Sequence, residues 1–421
     1  MAANETGGGI LGWLDERLGL TRFHAKYLRK AFPVHHSFFL GEITVFAFVT
    51  LVLTGIFLSL NYEPSIQERD GGPAAYQSIL YINSLPFGRM IRRIHHWSAN
   101  LMIAAAFLHM FRIYFTGAFK KPREINWFIG GTLLAVTTIT AVTGYALPFD
   151  SYAVTATKVS QGILESVPWI GGWLGRAAFA GDFPAAGSLQ RIYAYHVIWL
   201  PLVIGLLIGA HLLVMFKQKH TMPPAAAKKV RGKVLGVPMV PQQAILMLTL
   251  LLGYVGVVAI FSAFVPAHPV EVYGPPVVGT PPVKPDWYLL WMFGLLSMIP
   301  SAWNFEFLGA RFTPEFFGGI LLPGLIVFSL AAVPFIDRSR TRRLYAEIPT
   351  HFPVRLAAGV SFLALIGVFS LAGYRVELDL AVSLLWILAL VVPAVAGLIA
   401  YALLTGWPWR RPRGHAVPEP D

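Results

Sequence analysis

Eight separate stretches of this chain are long and apolar enough to cross the roughly 30 Å hydrocarbon core of a bilayer, which fixes the class of fold before any single residue is considered. They lie near Leu40–Asn61, Ile94–Thr116, Trp127–Leu147, Tyr195–Phe216, Ala244–Phe264, Phe316–Ile336, Leu356–Tyr374 and Leu380–Leu404. Lipid offers no partner to backbone N–H and C=O groups, so such segments span as helices. The expectation is an all-α integral membrane protein with eight transmembrane helices. Composition agrees, with 56% of the 421 residues hydrophobic and only 13% charged, and a mean hydropathy of +0.61. Ahead of the first span, Leu11, Trp13, Leu14 and Leu18 are interleaved with Asp15, Glu16, Arg17 and Lys26. That pattern reads as an amphipathic surface helix within residues 1–33 and not as a cleavable signal.

The net charge of +12 could indicate nucleic acid, but the basic residues stand in short runs in every second connection. Lys26, Arg29 and Lys30 precede span one, and Lys120, Lys121 and Arg123 join spans two and three. Lys217, Lys219, Lys228, Lys229, Arg231 and Lys233 join four and five, Arg338, Arg340, Arg342 and Arg343 join six and seven, and Arg410, Arg411 and Arg413 follow span eight. This asymmetry orients membrane spans and places both termini in the cytoplasm, as for a multi-pass protein of a bacterial inner membrane. No nucleic-acid role is expected. The opposite loops, Glu63–Met90, Pro148–Tyr193 and Pro266–Thr313, are longer and rich in Pro and Gly, the kind of loop that carries function.

The chain has no cysteine, so a metal on it must be held by nitrogen or oxygen. His95 and His109 lie 14 residues apart in span two, and His196 and His211 lie 15 apart in span four. At 3.6 residues per turn each interval is about four turns, so each pair stays near one helix face with roughly 21–22 Å between its levels. Two such helices facing each other offer one His–His pair near each membrane surface. An isolated intramembrane histidine more often serves as a satisfied polar group or proton relay than as a ligand. Two pairs at matching intervals point instead to two non-covalent, bis-histidine haems b, whose porphyrins supply the equatorial nitrogens that zinc or non-haem iron would need from protein. With both axial positions filled, electron transfer is the chemistry left. Gly41 and Gly55 in span one, and Gly130 and Gly144 in span three, repeat the 14-residue interval and remove side chains at both levels. Arg92 and Arg112 lie within a turn of His95 and His109, placed to pair with haem carboxylates. His96 is read as a neighbour and not a ligand, because 14 residues on stands Met110. These elements divide the chain into a surface helix at 1–33, a four-helix dihaem bundle at 34–220, a cytoplasmic linker at 221–243, a C-terminal membrane domain at 244–409 and a basic tail at 410–421.

The stretch RRIHHWSANLMIAAAFLHMFRIYFTGAFKKPREINW, together with these histidines and glycines, resembles cytochrome b of the Rieske/cytochrome bc complexes, above all the chloroplast and cyanobacterial form, which shares the 15-residue step in span four. That form is split into two chains, whereas here the halves are fused and an eighth span is present, as in the respiratory type. The resemblance implies that His95 and His196 hold the low-potential haem near the outer surface and that His109 and His211 hold the high-potential haem. It also implies an outer quinol-oxidation pocket formed by PPVKPDWYLLW, in which Pro285, Asp286, Trp287 and Tyr288 match the family's Pro-Glu-Trp-Tyr loop with Asp in place of Glu. In the family that carboxylate accepts a quinol proton, and relatives with an aspartate there often use menaquinone, though the residues themselves do not name the quinone. TGYALPFD resembles the end of the family's third span, placing Tyr145 and Pro148 at the same pocket, with Lys158 on the outer-surface helix that follows. Phe39 stands where the chloroplast form has the cysteine that tethers a further haem, so a third covalent haem is not implied. The respiratory acid near span five is also missing, since nothing acidic lies between His211 and Pro269. Lys217 and His220, with Lys219, are left as candidates for the inner quinone site.

The function so implied is that of the cytochrome b subunit of a quinol:cytochrome c oxidoreductase. Quinol oxidation outside would send one electron to a Rieske iron–sulfur protein and one through the two haems to an inner quinone, coupled to proton translocation. A c-type cytochrome subunit and a homodimer are implied with it. Two rival readings predict different observations. A dihaem anchor relaying electrons between the quinone pool and a dehydrogenase would keep its turnover without Asp286. A proton-coupled transporter with histidine relays would show no reducible haem absorbance.

Overall fold

The computed structural model of the protein describes residues 9–25, 29–33, 35, 39–69, 71–228, 234–277, 283–337 and 345–406. Eight helices among them are long and apolar enough to cross a bilayer: Phe39–Leu60, Gly88–Phe115, Glu124–Ala146, Ala186–Gln218, Met239–Phe264, Phe316–Ile336, Pro353–Ala372 and Val382–Thr405, spans one to eight. Each carries large apolar side chains on its outward face, among them Leu53, Leu206, Leu252, Phe328 and Leu390, as lipid requires. The protein is a multi-pass membrane protein. Hydropathy placed several starts too late, most of all those of spans two and four. Span two begins at Gly88, because Arg92 and Arg93 stay helical while their guanidinium groups reach the carbonyls of His268, in a loop, and of Ala263, in the last turn of span five. Span four begins at Ala186 and carries Arg191 on a turn that hydropathy excludes.

The N-terminal segment departs from one helix over 1–33. Helix covers Ile10–Leu18 and Leu20–Phe23, broken at Gly19, whose φ of +60° is left-handed and suits glycine. Ala31–Phe32 then runs extended and pairs antiparallel with Val237–Pro238. The linker expected at 221–243 is correspondingly shorter, since Met239–Gln243 enters span five through a kink at Val240. The basic tail at 410–421 lies outside the described residues.

Span one packs along span two, span three along span four, and span five against the outside of span two; spans seven and eight lie together, with the short helix Trp287–Met298 against span seven. The outer loops fold into helices Ala74–Ser84, Ser151–Glu165 and Gly171–Phe179. Ala75, Ala146, Phe149, Val154, Phe183, Leu189 and Ile192 form a buried cluster that roofs the bundle. A second cluster, centred on Leu295, Met298, Phe369 and Leu385, holds the C-terminal part together.

At the end bearing Lys120 and Arg123, here called inner, the two parts are joined by buried charges. Lys120 donates to Glu347 at 3.0 Å and lies 3.5 Å from Asp337, while Arg355 donates to Asp337 at 2.7 Å and also pairs with Glu347. Four alternating charges in one buried place satisfy one another, the condition under which burial of ions is tolerated. Gly117 makes the close approach possible: its φ is +62°, and a Cβ there would come 2.7 Å from Arg355 Nη1.

Candidate functional site

The four histidines of spans two and four meet as two opposed pairs. His95 and His196 have ring centroids 6.3 Å apart, and His109 and His211 6.5 Å apart. Metal–imidazole bonds of about 2 Å on opposite sides of one metal, with about 1.1 Å from each nitrogen to its ring centre, give a centroid separation of roughly 6.3 Å. Each pair therefore has room for one metal ion between its two rings. Among the described residues no group of three or more His, Cys, Asp or Glu gathers as a metal site, so further ligands would have to come from a macrocycle.

The glycines explain why the rings can stand there. A Cβ would lie 3.3 Å from His95 Cε1 at Gly55, 3.2 Å from His109 Cε1 at Gly41, 3.4 Å from His211 Cε1 at Gly130 and 2.8 Å from His196 Cε1 at Gly144. Each glycine of spans one and three thus lets one imidazole back against a neighbouring helix backbone and sets how far it projects. The unequal intervals of 14 and 15 also find a cause, because Tyr195–Trp199 is a π-turn containing His196. A π-turn takes up one extra residue within a helix, so span four brings its two rings to the levels set by span two.

The outer pair is fixed by hydrogen bonds. Thr54 Oγ1 lies 2.9 Å from His95 Nδ1, and His196 Nδ1 lies 2.9 Å from the Thr140 carbonyl and 3.2 Å from Thr143 Oγ1. An Nδ1–H given to a carbonyl leaves the Nε2 lone pair free to bind metal. Sequence reasoning passed over these threonines, although the pairs Thr54–Gly55 and Thr143–Gly144 repeat the same dipeptide at the outer level. In the inner pair, His211 Nδ1 faces the Asn126 carbonyl without reaching hydrogen-bond geometry, and His109 Nδ1 has no partner among the described residues. Among the described residues His96 stacks on no second imidazole; it packs edge-on to Trp97 with centroids 5.1 Å apart and approaches Asn100 at 3.5 Å.

Beside the outer pair lies a second constellation. Tyr145 follows Gly144 and accepts a hydrogen bond from Tyr288 Oη at 3.2 Å. Trp287 Nε1 donates to Asn100 Oδ1 at 3.1 Å. Asp286 starts the helix Trp287–Met298, and its Oδ2 is buried with no hydrogen-bond partner among the described residues. Burial pushes its carboxyl above the usual carboxylate range, against a hydrogen bond with Asn100 that lowers it. The loop before it is held by Tyr152 Oη, which donates to the Lys284 carbonyl at 2.7 Å, and by an ion pair between Lys284 and Glu377. Pro285 thus sits between a fixed carbonyl and the buried acid. Lys158 is exposed on Ser151–Glu165.

Arg92 is engaged by the outer loops. Its Nη2 donates to the His268 carbonyl at 2.6 Å and its Nη1 approaches Asn83 Oδ1 at 3.5 Å. His268 in turn meets Asp150 at 2.5 Å and stacks on Tyr273 with centroids 4.8 Å apart. Asp150 is fully buried and caps Ser151–Glu165 through Ala153 N at 2.8 Å. Nothing in the local sequence ties Asp150 to His268. At the inner end, Arg112 feels the charge of Glu42 and borders a cavity shared with His35, Thr116 and Pro223. Lys217 and Lys219 are exposed. His220 packs edge-on to Phe32 with centroids 5.3 Å apart, and burial pushes its imidazole down to about 4.

Paired histidines stacked in a four-helix membrane bundle are the arrangement of a membrane cytochrome. Family comparison agrees: the chain matches cytochrome b (N-terminal)/b6/petB over residues 100–275 and cytochrome b (C-terminal)/b6/petD over residues 275–388. A cytochrome bc1 complex cytochrome b subunit of Streptomyces coelicolor is 33% identical over 386 residues, covering 87% of this chain and 70% of that one. The subunit of the same name from Mycobacterium tuberculosis H37Rv is 34% identical over 376 residues, with 84% and 68% covered. That of Corynebacterium efficiens is 32% identical over 420 residues, with 93% and 77% covered. A solved chain titled Hyperthermophilic respiratory Complex III superposes with a TM-score of 0.68 at 23% identity, covering 93% of this chain and all of that one. The chain belongs to the cytochrome b family.

Proposed function

We propose that the chain is the cytochrome b subunit of a bc1-type complex III, a quinol:cytochrome c oxidoreductase, and that it oxidises membrane quinol between Asp286, Tyr288 and Tyr145. One observation carries the reading: two His–His pairs at ligand spacing, seated on four glycines, with Tyr145 next in sequence to the glycine under His196 and hydrogen-bonded to Tyr288, two residues from an acid with an oxygen buried and unpartnered among the described residues. His95 with His196, and His109 with His211, would each hold a haem, which would supply one-electron transfer. The chain's own residues do the rest. The glycines and Thr54, Thr140 and Thr143 orient the imidazoles. Asp286 Oδ2 takes a proton from a quinol hydroxyl, a task for which a raised carboxylate pKa is suited. The Tyr288–Tyr145 pair and Trp287 position the ring, with Pro285 and Pro148 stiffening the loops around it. Lys158, exposed on the outer face, is available to a docked partner.

Of the two electrons released, one goes to a Rieske iron–sulfur protein, necessarily a separate chain because this one has no cysteine, and from there to a c-type cytochrome. The other crosses to an inner quinone, costing about 2.3 kcal/mol per 100 mV of opposing potential. The cytoplasmic placement of both termini and a homodimeric assembly belong to the same proposal. Redox titration of the purified complex with pyridine haemochrome analysis tests it. Two non-covalent haems b of distinct potential are expected, and a colourless assembled complex would sink the reading. Asp286→Asn separates it from a dihaem relay, which would turn over unchanged.

A further inference from the structure

We propose that the inner quinone is bound and protonated by Glu42, on the first turn of span one. The proposal rests on the reading above that a quinone is reduced at the inner end. A quinone carbonyl needs a hydrogen-bond donor that can also deliver a proton, and span five offers no acid. The acids of the inner end differ sharply in what they already do. Glu347 and Asp337 are fully engaged by Lys120 and Arg355. Glu124 stands in the first helical turn of span three, where the helix dipole favours its anion. Glu42 is different: its Oε2 is buried and has no hydrogen-bond partner among the described residues. A buried carboxyl oxygen left unpaired is costly unless something else fills the place.

Its position is equally specific. Glu42 follows Gly41, whose backbone touches His109, so it stands at the level of the inner histidine pair. Arg112, one turn beyond His109 towards the inner surface, feels its charge and also borders a cavity of about 180 Å³. The walls of that cavity are largely apolar, with Pro223, Pro224, Ile348 and Pro349 beside His35, Thr116 and Glu347, the last held by Lys120 and Arg355. A flat apolar ring with carbonyls at its edge suits such walls, with Arg112 among them and close enough to Glu42 to feel its charge. Reduction to quinol adds two electrons, drawn from quinol oxidised at the outer site, and two protons. Glu42 breaks its O–H bond to give one proton to the carbonyl oxygen and is recharged from the inner aqueous phase; water at the cavity mouth supplies the other.

The test uses the intact complex carrying Asp286→Asn, so that the outer carboxyl contributes no signal, titrated with a short-chain naphthoquinone. Calorimetry gives the affinity and infrared difference spectroscopy reports any carboxyl band that the quinone perturbs. Pyridine haemochrome content marks the assembled protein. Adding Glu42→Ala should weaken binding by about tenfold or more, the loss expected when one partner of a buried hydrogen bond is removed. Glu42→Gln keeps a donor, so affinity should stay within about threefold while the carboxyl band disappears. If Glu42→Ala does not assemble, disappearance or survival of the band in Glu42→Gln decides alone. Wild-type affinity in Glu42→Ala, or a surviving band in Glu42→Gln, overturns the assignment. Absence of quinone binding in the parent complex overturns the inner-site reading itself, a separate outcome.

Discussion

The two histidine levels of the bundle share one plan and differ in finish. At the outer level both imidazoles are held at Nδ1 by Thr54 or by Thr140 and Thr143, and the glycine contact at Gly144 is the tightest of the four, at 2.8 Å. At the inner level neither Nδ1 makes a hydrogen bond within the described residues, and the contact at Gly130 is an ordinary 3.4 Å. Hydrogen bonding at Nδ1 makes an imidazole a stronger electron donor and favours the oxidised metal. The same ligands can thus define a lower-potential outer site and a higher-potential inner one. The gradient needed to draw an electron inward would come from threonine hydroxyls and carbonyls, without any change of ligand.

The comparison can be broken at several strengths. Replacing one ligand is the most severe: His196→Leu should remove only the outer haem and His211→Leu only the inner one. Each should halve haem content by pyridine haemochrome, roughly, and lose one redox wave. If either change removed both haems, the levels would not be independent. Next in size, Asp286→Asn should lower quinol oxidation by about 10²–10⁴-fold with both haem spectra intact. The pH dependence has a definite sign. Because burial raises the Asp286 carboxyl, its basic form is lost on acidification sooner than that of an exposed aspartate. The wild-type rate should therefore fall as pH drops through a pKa above the ordinary carboxylate range, and the Asn variant should lack that limb.

Smaller effects sharpen the contrast. Gly144→Ala drives a methyl into His196 and should cost about 1–3 kcal/mol with partial loss of the outer haem, whereas Gly130→Ala should be close to neutral. Thermal unfolding of the two purified variants distinguishes them. Smallest of all, Thr54→Ala or Thr143→Ala should raise the outer midpoint by roughly 20–40 mV. That is the equivalent of 0.5–1 kcal/mol for one hydrogen bond at about 2.3 kcal/mol per 100 mV. Equal shifts at both haems would show that the hydroxyls do not set the difference.

Much of this was legible in the sequence because bilayer thickness and helix pitch are rigid rulers. Span six is found at Phe316–Ile336 from hydropathy and from structure alike, and the 14-residue steps of histidine and glycine became facing contacts between helices. What stayed hidden depends on geometry that composition does not encode. The π-turn at His196 leaves no mark beyond one extra residue. Arg92, read as a partner for haem carboxylates, donates to the His268 carbonyl, from a loop 176 residues distant. The Asp150–His268 pair joins residues 118 apart. Glu42, a single acid at the edge of an apolar run, becomes noticeable only once its unpaired oxygen and the neighbouring Arg112 are seen together.

The buried charges between Lys120, Asp337, Glu347 and Arg355 act as a rivet between the part of the chain ending after span four and the part beginning with span five. Trp127 Nε1, donating to the Leu330 carbonyl at 2.9 Å, and Tyr114 Oη, donating to the Arg355 carbonyl at 3.1 Å, add two more stitches. Alignment of the halves thus resides in good part in side chains that recognise each other across the interface. A gene severed between the halves would still encode two fragments able to find their proper seating.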